Sequence, residues 1–249
     1  LSKKRVLVTG GSGGIGAQIV QQLSEAGYLV DFTYYRSKEQ AEAIVSKLRF
    51  GGELQPSIHQ CDLSDLGAVE TLCEQLSELE YYGFVHAAGI SSDAIVPSIK
   101  LDIAQQTMAV NFWAYILICK QLIRKMSRSK DGRIVAISSI AAHRGNRGNA
   151  VYAASKAAIE AFNRAFVQEY ASRGVSINTV APGFVNTKMI SDLKGLGDQL
   201  SKVVPAKRSA EPPEIGELIV YLLSEKAQYM NGEVIRLDGG LSSSMGLTI

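Results

Sequence analysis

Cysteine is scarce in this chain: Cys61, Cys73 and Cys119 are the only three, with no CxxC pair and no spacing suited to metal ligation. Scattered thiols in odd number exclude a disulfide framework and fit a reducing compartment. An excess of one charge is also missing. Twenty-six Lys and Arg against 24 Asp and Glu leave a formal charge of +2, too little to hold a nucleic acid by bulk electrostatics. Long apolar runs are absent; the stretch from Met108 to Cys119 is too short for a bilayer and is broken by Asn111. The start at Leu1 has no signal-peptide shape and no Met, so a cytoplasmic protein trimmed by a residue or two is expected. No Pro/Ser-rich linker, charge block or internal repeat interrupts the chain, which predicts one domain over residues 1–249.

What is present suits a full core: 46% of the 249 residues are apolar and 20% charged. Short apolar runs predict strands at 5–9, 29–34, 54–60, 83–87, 133–138, 175–181 and 233–238. Amphipathic stretches between them predict helices near 15–26, 38–49, 65–80, 101–127, 150–172 and 212–224. Such alternation predicts an α/β fold, a Rossmann-type doubly wound parallel sheet of about seven strands with helices on both faces. The run 184–211 is long for a connection and carries Gly195 and Gly197, so a mobile substrate lid is expected there. The helix around 104–126 has almost no polar face, from Met108 and Phe112 through Trp113 to Ile123. Either it is buried within its own domain or its outer side meets another subunit; we expect an oligomer.

The first predicted strand runs into "TGGSGGIG", Thr9 to Gly16. Glycines between a strand and a helix let main-chain N–H groups approach a pyrophosphate at the helix start, although glycine also serves plain turns. Side chains at Gly10, Gly14 or Gly16 would block the turn, the approach or the packing of helix on strand. The context of strand before and helix after favours a nucleotide.

That spacing, T-G-x-x-x-G-x-G, resembles the short-chain dehydrogenase/reductase family. "HAAG" (86–89) stands where the family has N-N-A-G, and Asn111, Ser138–Ser139, Tyr152-x-x-x-Lys156 and "APG" (181–183) follow in the family's order. The resemblance covers essentially the whole chain. Several stretches, among them "YAASKAA" (152–158) and "VAPGFVNTKM" (180–189), are similar to 3-oxoacyl-acyl-carrier-protein reductases within it. Reduction of a β-keto thioester, by a tetramer acting in fatty-acid or polyketide-type biosynthesis, is what the resemblance implies. Reduction of a sugar, steroid or other alcohol or ketone is the alternative, and a non-catalytic nucleotide-binding regulator a third.

The resemblance implies a cofactor held by Gly10, Ser12, Gly13, Gly14, Ile15, Gly16, Asp62, Leu63, Ala88, Gly89, Tyr152, Lys156, Pro182, Gly183, Val185 and Thr187. Asp62 would meet the adenine amino group, or else cap a turn. Thr187 would meet the carboxamide. The choice of nucleotide rests on the second strand's end, "TYYRS" (33–37), which has no acid. Asp31 comes too early in the strand, and Arg36 with Ser37 can receive a 2′-phosphate, so NADPH is expected over NADH. Arg36 solvating a loop is the plain alternative.

Tyr152 and Lys156 lie one helical turn apart. Reducing a ketone needs a proton on oxygen, and a phenol with a pKa near 10 is too weak an acid. An ammonium beside it lowers that value, so Lys156 is expected to activate Tyr152; chance also places such pairs on helices. Ser139, after a strand, is either a turn residue or a donor to the substrate carbonyl. By resemblance Asn111 holds a water in a proton relay; otherwise it is a satisfied core amide. In "HAAG", Ala88 and Gly89 keep the approach to the cofactor. His86 and Ala87 lack the amides that tie the sheet centre, which puts local rigidity in doubt. Phe184, Met189, Ile190, Leu193 and Leu196 are expected to line an acyl channel. Arg124, Lys125, Arg128, Lys130 and Arg133 form a basic cluster. By resemblance Lys130 and Arg173 meet an acidic carrier protein, and a solvated helix end is the alternative.

Overall fold

The computed structural model describes residues 4–48, 55–187 and 203–243. Seven strands form one sheet: β1 Arg5–Thr9, β2 Leu29–Tyr34, β3 Ile58–Gln60, β4 Gly83–His86, β5 Gly132–Ile137, β6 Val175–Pro182 and β7 Val234–Leu237. Their order is β3-β2-β1-β4-β5-β6-β7, and every pair is parallel. The main helices are α1 Gly14–Glu25, α2 Lys38–Val45, α3 Leu66–Ser77, α4 Leu101–Met108, α5 Ala114–Ser129, α6 Ala150–Tyr170 and α7 Pro212–Leu223. Among the described residues no helix is long and apolar enough to cross a membrane.

Strand residues alternate between two apolar layers, as period two requires. Leu7, Phe84 and Ile134 pack with Tyr115, Ile118, Met126 and Ile159 of α5 and α6. Their neighbours Val6, Val8, Val85 and Val135 face Ile19 and Leu23 of α1 and Ile219 and Leu222 of α7. Burial on both faces explains why the strands read as continuous apolar runs. The three cysteines are buried and unpaired. The winding reverses between β1 and β4, where Thr9 lies opposite His86; the crevice beyond those strand ends is where open α/β sheets take ligands.

Two expectations shift. Helix 101–127 is not continuous: a π turn spans Ala109–Trp113 between α4 and α5. Its cause is local, since the buried Asn111 amide reaches the main chain of Ile90 and the widened turn accommodates it. The apolar ring of that helix is also partly satisfied at home. Tyr115, Ile118, Leu122 and Met126 are core residues and Phe112 packs against that core beside Phe162, which leaves Trp113, 47% exposed, and the half-buried Ile116 on the outside.

Candidate active site

The loop after β1 is shaped by close approach. A Cβ on Gly16 would stand 2.1 Å from the main-chain oxygen of Gly10, and one on Gly10 would stand 2.8 Å from the Cα of Ala88. The loop is pinned to β2 by Gly10 N–H to Thr33 Oγ1 at 3.1 Å and Gly11 N–H to the Thr33 carbonyl at 3.0 Å. Gly11, which the sequence did not single out, packs against Phe32, where a Cβ would come within 2.5 Å. Gly13 is different: a Cβ there would meet nothing within 4 Å. It is the N-cap of α1, with no side-chain cap bond and no acid in the first turn. An open cradle at an uncapped helix start suits a pyrophosphate. Thr187 faces the same loop, its Cγ2 3.8 Å from where a Gly14 Cβ would be.

Within β2, Asp31 is buried and fully engaged. It accepts from Arg5 Nη1 and the Tyr81 hydroxyl, both at 2.6 Å, and from Ser57 N–H at 2.8 Å. No nucleotide can use it. Arg36 is exposed, its guanidinium 4.7 Å from the Tyr35 ring centre and within 3.2 Å of that hydroxyl. Ser37 N-caps α2 without spending its hydroxyl on the cap. Asp62 accepts from Ser64 N–H at 2.9 Å and Ser64 Oγ at 2.7 Å, so it does cap the following turn. Burial pushes its carboxyl up, and the Ser64 hydrogen bonds outweigh that and hold it below the usual range. Leu63 beside it is buried. Asp65 caps α3 through Gly67 and Ala68 N–H, as an aspartate before a helix should.

The polar groups converge at the C-terminal ends of β4, β5 and β6. Ser139 follows β5; its Oγ accepts from Ala141 N–H at 3.1 Å, so its own proton points elsewhere. Lys156 is buried, and its ammonium donates to the Ile137 carbonyl at 2.8 Å while standing 5.7 Å from the centre of the Tyr152 ring. Gly89 lies against it: a Cβ there would be 3.2 Å from Nζ. Asn111 donates to the Ile90 carbonyl at 3.0 Å and to Ser155 Oγ at 2.9 Å, and accepts from Ile90 N–H at 2.9 Å. Both of its amide protons are thus committed to the protein. A relay water would have to use the main-chain oxygen instead of the amide. Across the crevice Pro182 ends β6, and Gly183 N–H donates to the Leu237 carbonyl at 3.0 Å. Val185 is buried and bridges to Ala210.

The expected activation of the phenol takes a different form. Burial raises the Tyr152 pKa above 10, the Ser139 hydroxyl pulls it down, and Asp93 adds to the rise. Lys156 is itself drawn down to about 8 by burial. With its ammonium turned to the Ile137 carbonyl, Lys156 is not among the groups that shift Tyr152; burial comes first, and Ser139 is the group that lowers it.

A family model described as "Enoyl-(Acyl carrier protein) reductase" matches residues 10–242. The chain is 34% identical to Carbonyl reductase family member 4 of Xenopus laevis, over 94% of this chain and 96% of that protein. It is 32% identical to the 3-oxoacyl-[acyl-carrier-protein] reductase FabG of a Staphylococcus epidermidis strain, over 96% and 98%. The solved structure of BdcA in complex with NADPH superposes with a TM-score of 0.85 at 28% identity, covering 95% of this chain and 93% of that one. The chain belongs to the short-chain dehydrogenase/reductase family. It is an oxidoreductase.

Against the family's N-N-A-G, the histidine of "HAAG" does not loosen the sheet centre. His86 is fully buried. Nδ1 lies 2.9 Å from Thr9 Oγ1 and Nε2 lies 3.2 Å from the Asn111 carbonyl. Thr9 Oγ1 in turn receives Ala88 N–H at 3.4 Å. One imidazole therefore ties β4 to β1 and to the π turn, which answers the doubt raised by the missing amides.

The lid and the basic residues lie at the periphery of this short-chain dehydrogenase/reductase. Of the lid 184–211, residues 188–202 lie outside the described residues, and with them Met189, Ile190, Leu193 and Leu196. Phe184 packs beside Val204 and Leu241. The basic cluster is smaller than expected. Lys125 is tied to the carbonyls of Ser77 and Leu79, and Arg133 is buried beside Asp131. Arg124, Arg128 and Arg173 line a recess of about 330 Å³ with Ser127, Glu169 and Tyr170. Lys130 caps α5 in the left-handed conformation, close to Gly174. This recess lies toward the starts of β5 and β6, about 20 Å from their carboxyl ends at ~3.3 Å per strand residue.

Proposed function

We propose that the protein reduces a 3-oxoacyl thioester, linked to an acyl carrier protein or CoA, to the 3-hydroxyacyl thioester with NADPH. The reading is carried by the convergence of Ser139, Tyr152 and Lys156 beside an uncapped glycine-rich helix start. The open face at Gly13 and the uncapped N–H groups of α1 fit the pyrophosphate, and Arg36 with Ser37 fits a 2′-phosphate. Bound there, NADPH supplies hydride to the carbonyl carbon. The chain does the rest. Ser139, its oxygen occupied by Ala141 N–H, directs its proton to the carbonyl oxygen and polarises it. Tyr152 then gives that oxygen its proton, and the resulting phenolate is stabilised by the Lys156 cation once its ammonium turns from the Ile137 carbonyl toward the ring. Lys156 would also hold the nicotinamide ribose. Asn111 keeps Ile90 and Ser155 in place around it, with its main-chain oxygen as the seat of a relay water.

Relatives named for thioester reduction support this substrate class, and the Xenopus relative, named a carbonyl reductase, favours a second: a free ketone such as a sugar or steroid. A non-catalytic regulator is disfavoured because Tyr152 and Lys156 are both present and converge. The outward Trp113 and Ile116 support a homotetramer, working in the cytoplasm in fatty-acid or polyketide-type biosynthesis. Lys130 and Arg173 are the carrier-docking candidates. A panel of acetoacetyl-CoA, acyl-carrier-protein thioesters and free ketones, each with NADPH and NADH, tests the reading. Fastest turnover on thioesters with NADPH is expected; turnover confined to free ketones or polyols supports the second reading.

A further inference from the structure

Tyr152, Lys156 and Glu160 are spaced four residues apart on α6 and share one face. At the third position an apolar side chain would fill the space more cheaply than a carboxylate, which needs partners once buried. Glu160 is 3% exposed. Its two partners come from either side of one residue. Ser138 Oγ donates to Oε1 at 2.6 Å, and His143 Nε2 lies 3.1 Å from both carboxylate oxygens. Ser138 immediately precedes Ser139, and His143 closes the short helical turn, Ile140–Ala142, that Ser139 caps. We infer that Glu160 is a positioning residue: from the helix that carries Tyr152 it grips both flanks of Ser139, fixing the distance between the serine and tyrosine hydroxyls. The inference rests on the proposed roles of those two hydroxyls.

The physical reason for such a clamp is the shared target. Both hydroxyls must reach one carbonyl oxygen, yet one stands on a loop and the other on a helix. A misplacement of about 1 Å can cost ~100-fold in rate. Other ties also reach the loop. Ser138 N–H donates to the Val180 carbonyl at 2.7 Å, Ser138 Oγ lies 3.3 Å from the Lys156 carbonyl, and at the rim Ala94 N–H donates to the Gly148 carbonyl at 2.7 Å and Asn149 Nδ2 to Asp93 at 2.9 Å. Those inner ties act on the Ser138 side alone; Glu160 holds Ser138 and His143 together.

The experiment compares Glu160→Leu with Glu160→Gln, measuring kcat, ketone KM and NADPH Kd on the whole enzyme. The amide can accept from Ser138 and donate to the other tautomer of His143, so it rescues. Glu160→Leu should lose roughly 30- to 100-fold in kcat with KM and Kd within about threefold, and Glu160→Gln should stay within about threefold of wild type. Should Glu160→Leu not fold, Ser138→Ala combined with His143→Leu cuts the same two bonds and reads the same quantity. An unchanged kcat overturns the inference, as does a parallel fall in kcat and NADPH affinity, or a glutamine variant no better than leucine. Tyr152→Phe is run alongside. If that variant keeps its turnover, the underlying site reading fails; if it is inactive while the clamp variants are normal, only the clamp fails.

Discussion

His86 Nε2 lies 3.2 Å from the main-chain oxygen of Asn111, and this contact fixes the protonation of the imidazole. A carbonyl can only accept, so Nε2 carries the proton and Nδ1 accepts from the Thr9 hydroxyl. Burial, helped by the Lys156 charge, pushes the His86 pKa from 6.5 down to about 3. The unfolded chain therefore binds this proton more readily than the folded one. The stabilisation is complete above the unfolded value and is lost as pH falls toward the folded one, with a slope of at most about 1.4 kcal/mol per pH unit. Urea unfolding between pH 7 and 4 should show a steeper decline for wild type than for His86→Asn. Equal slopes, or an imidazole resonance titrating near 6.5, contradict the assignment.

The Lys156 amine follows the same sign. Burial lowers its pKa from 10.5 to about 8, so the buried cation costs stability at neutral pH, and that cost fades as pH rises from the folded value to the unfolded one. Lys156→Met should raise Tm at pH 7 while turnover falls by about 100-fold or more. Calorimetry and steady-state rates on one preparation check both halves; a lower Tm contradicts the burial argument.

The glycine loop separates packing from ligand space. Gly16→Ala should lower Tm and NADPH affinity together, because its Cβ would strike the Gly10 carbonyl. Gly13→Ala meets no protein atom and should leave Tm within about 1 °C, in line with exposed substitutions far from special features. It should still weaken NADPH by about tenfold, since the empty space is where phosphate belongs. Fluorescence titration decides, and an unaltered affinity for Gly13→Ala removes the pyrophosphate from that spot.

Cofactor choice rests on Arg36. Losing a charge-assisted hydrogen bond costs about 1.5–3 kcal/mol, so Arg36→Ala should weaken NADPH by roughly 10- to 100-fold and leave NADH nearly unchanged. Equal losses for both nucleotides contradict a 2′-phosphate contact.

Much of this arrangement was legible in the chain. All seven strands fell within a few residues of their predicted places; for the five inner ones, burial on both faces leaves continuous apolar runs, while β3 and β7 are only partly buried. The order in which Gly16, Asn111, Ser139, Tyr152 and Lys156 appear announced their convergence through the family resemblance. What escaped depended on partners distant in sequence. Nothing near His86 tells that Thr9 and the Asn111 carbonyl wait on either side of it. The π turn follows from the reach of an amide to Ile90, twenty-one positions back. Lys156 was expected to act on Tyr152 because helical spacing shows that pair, whereas the Ile137 carbonyl that holds its ammonium belongs to another element. Glu160 reads as an exposed helix residue until Ser138 and His143 are seen folded onto it.

The central claim is that the Tyr152 hydroxyl delivers the proton to the substrate oxygen. Tyr152→Phe removes that one oxygen and keeps the ring, so the most direct measurement is its single-turnover rate at saturating NADPH beside its NADPH affinity. The account predicts affinity within about threefold of wild type and a rate lower by ~1,000-fold, within the range for loss of a general acid. A rate within tenfold of wild type, at roughly equal affinity, contradicts it.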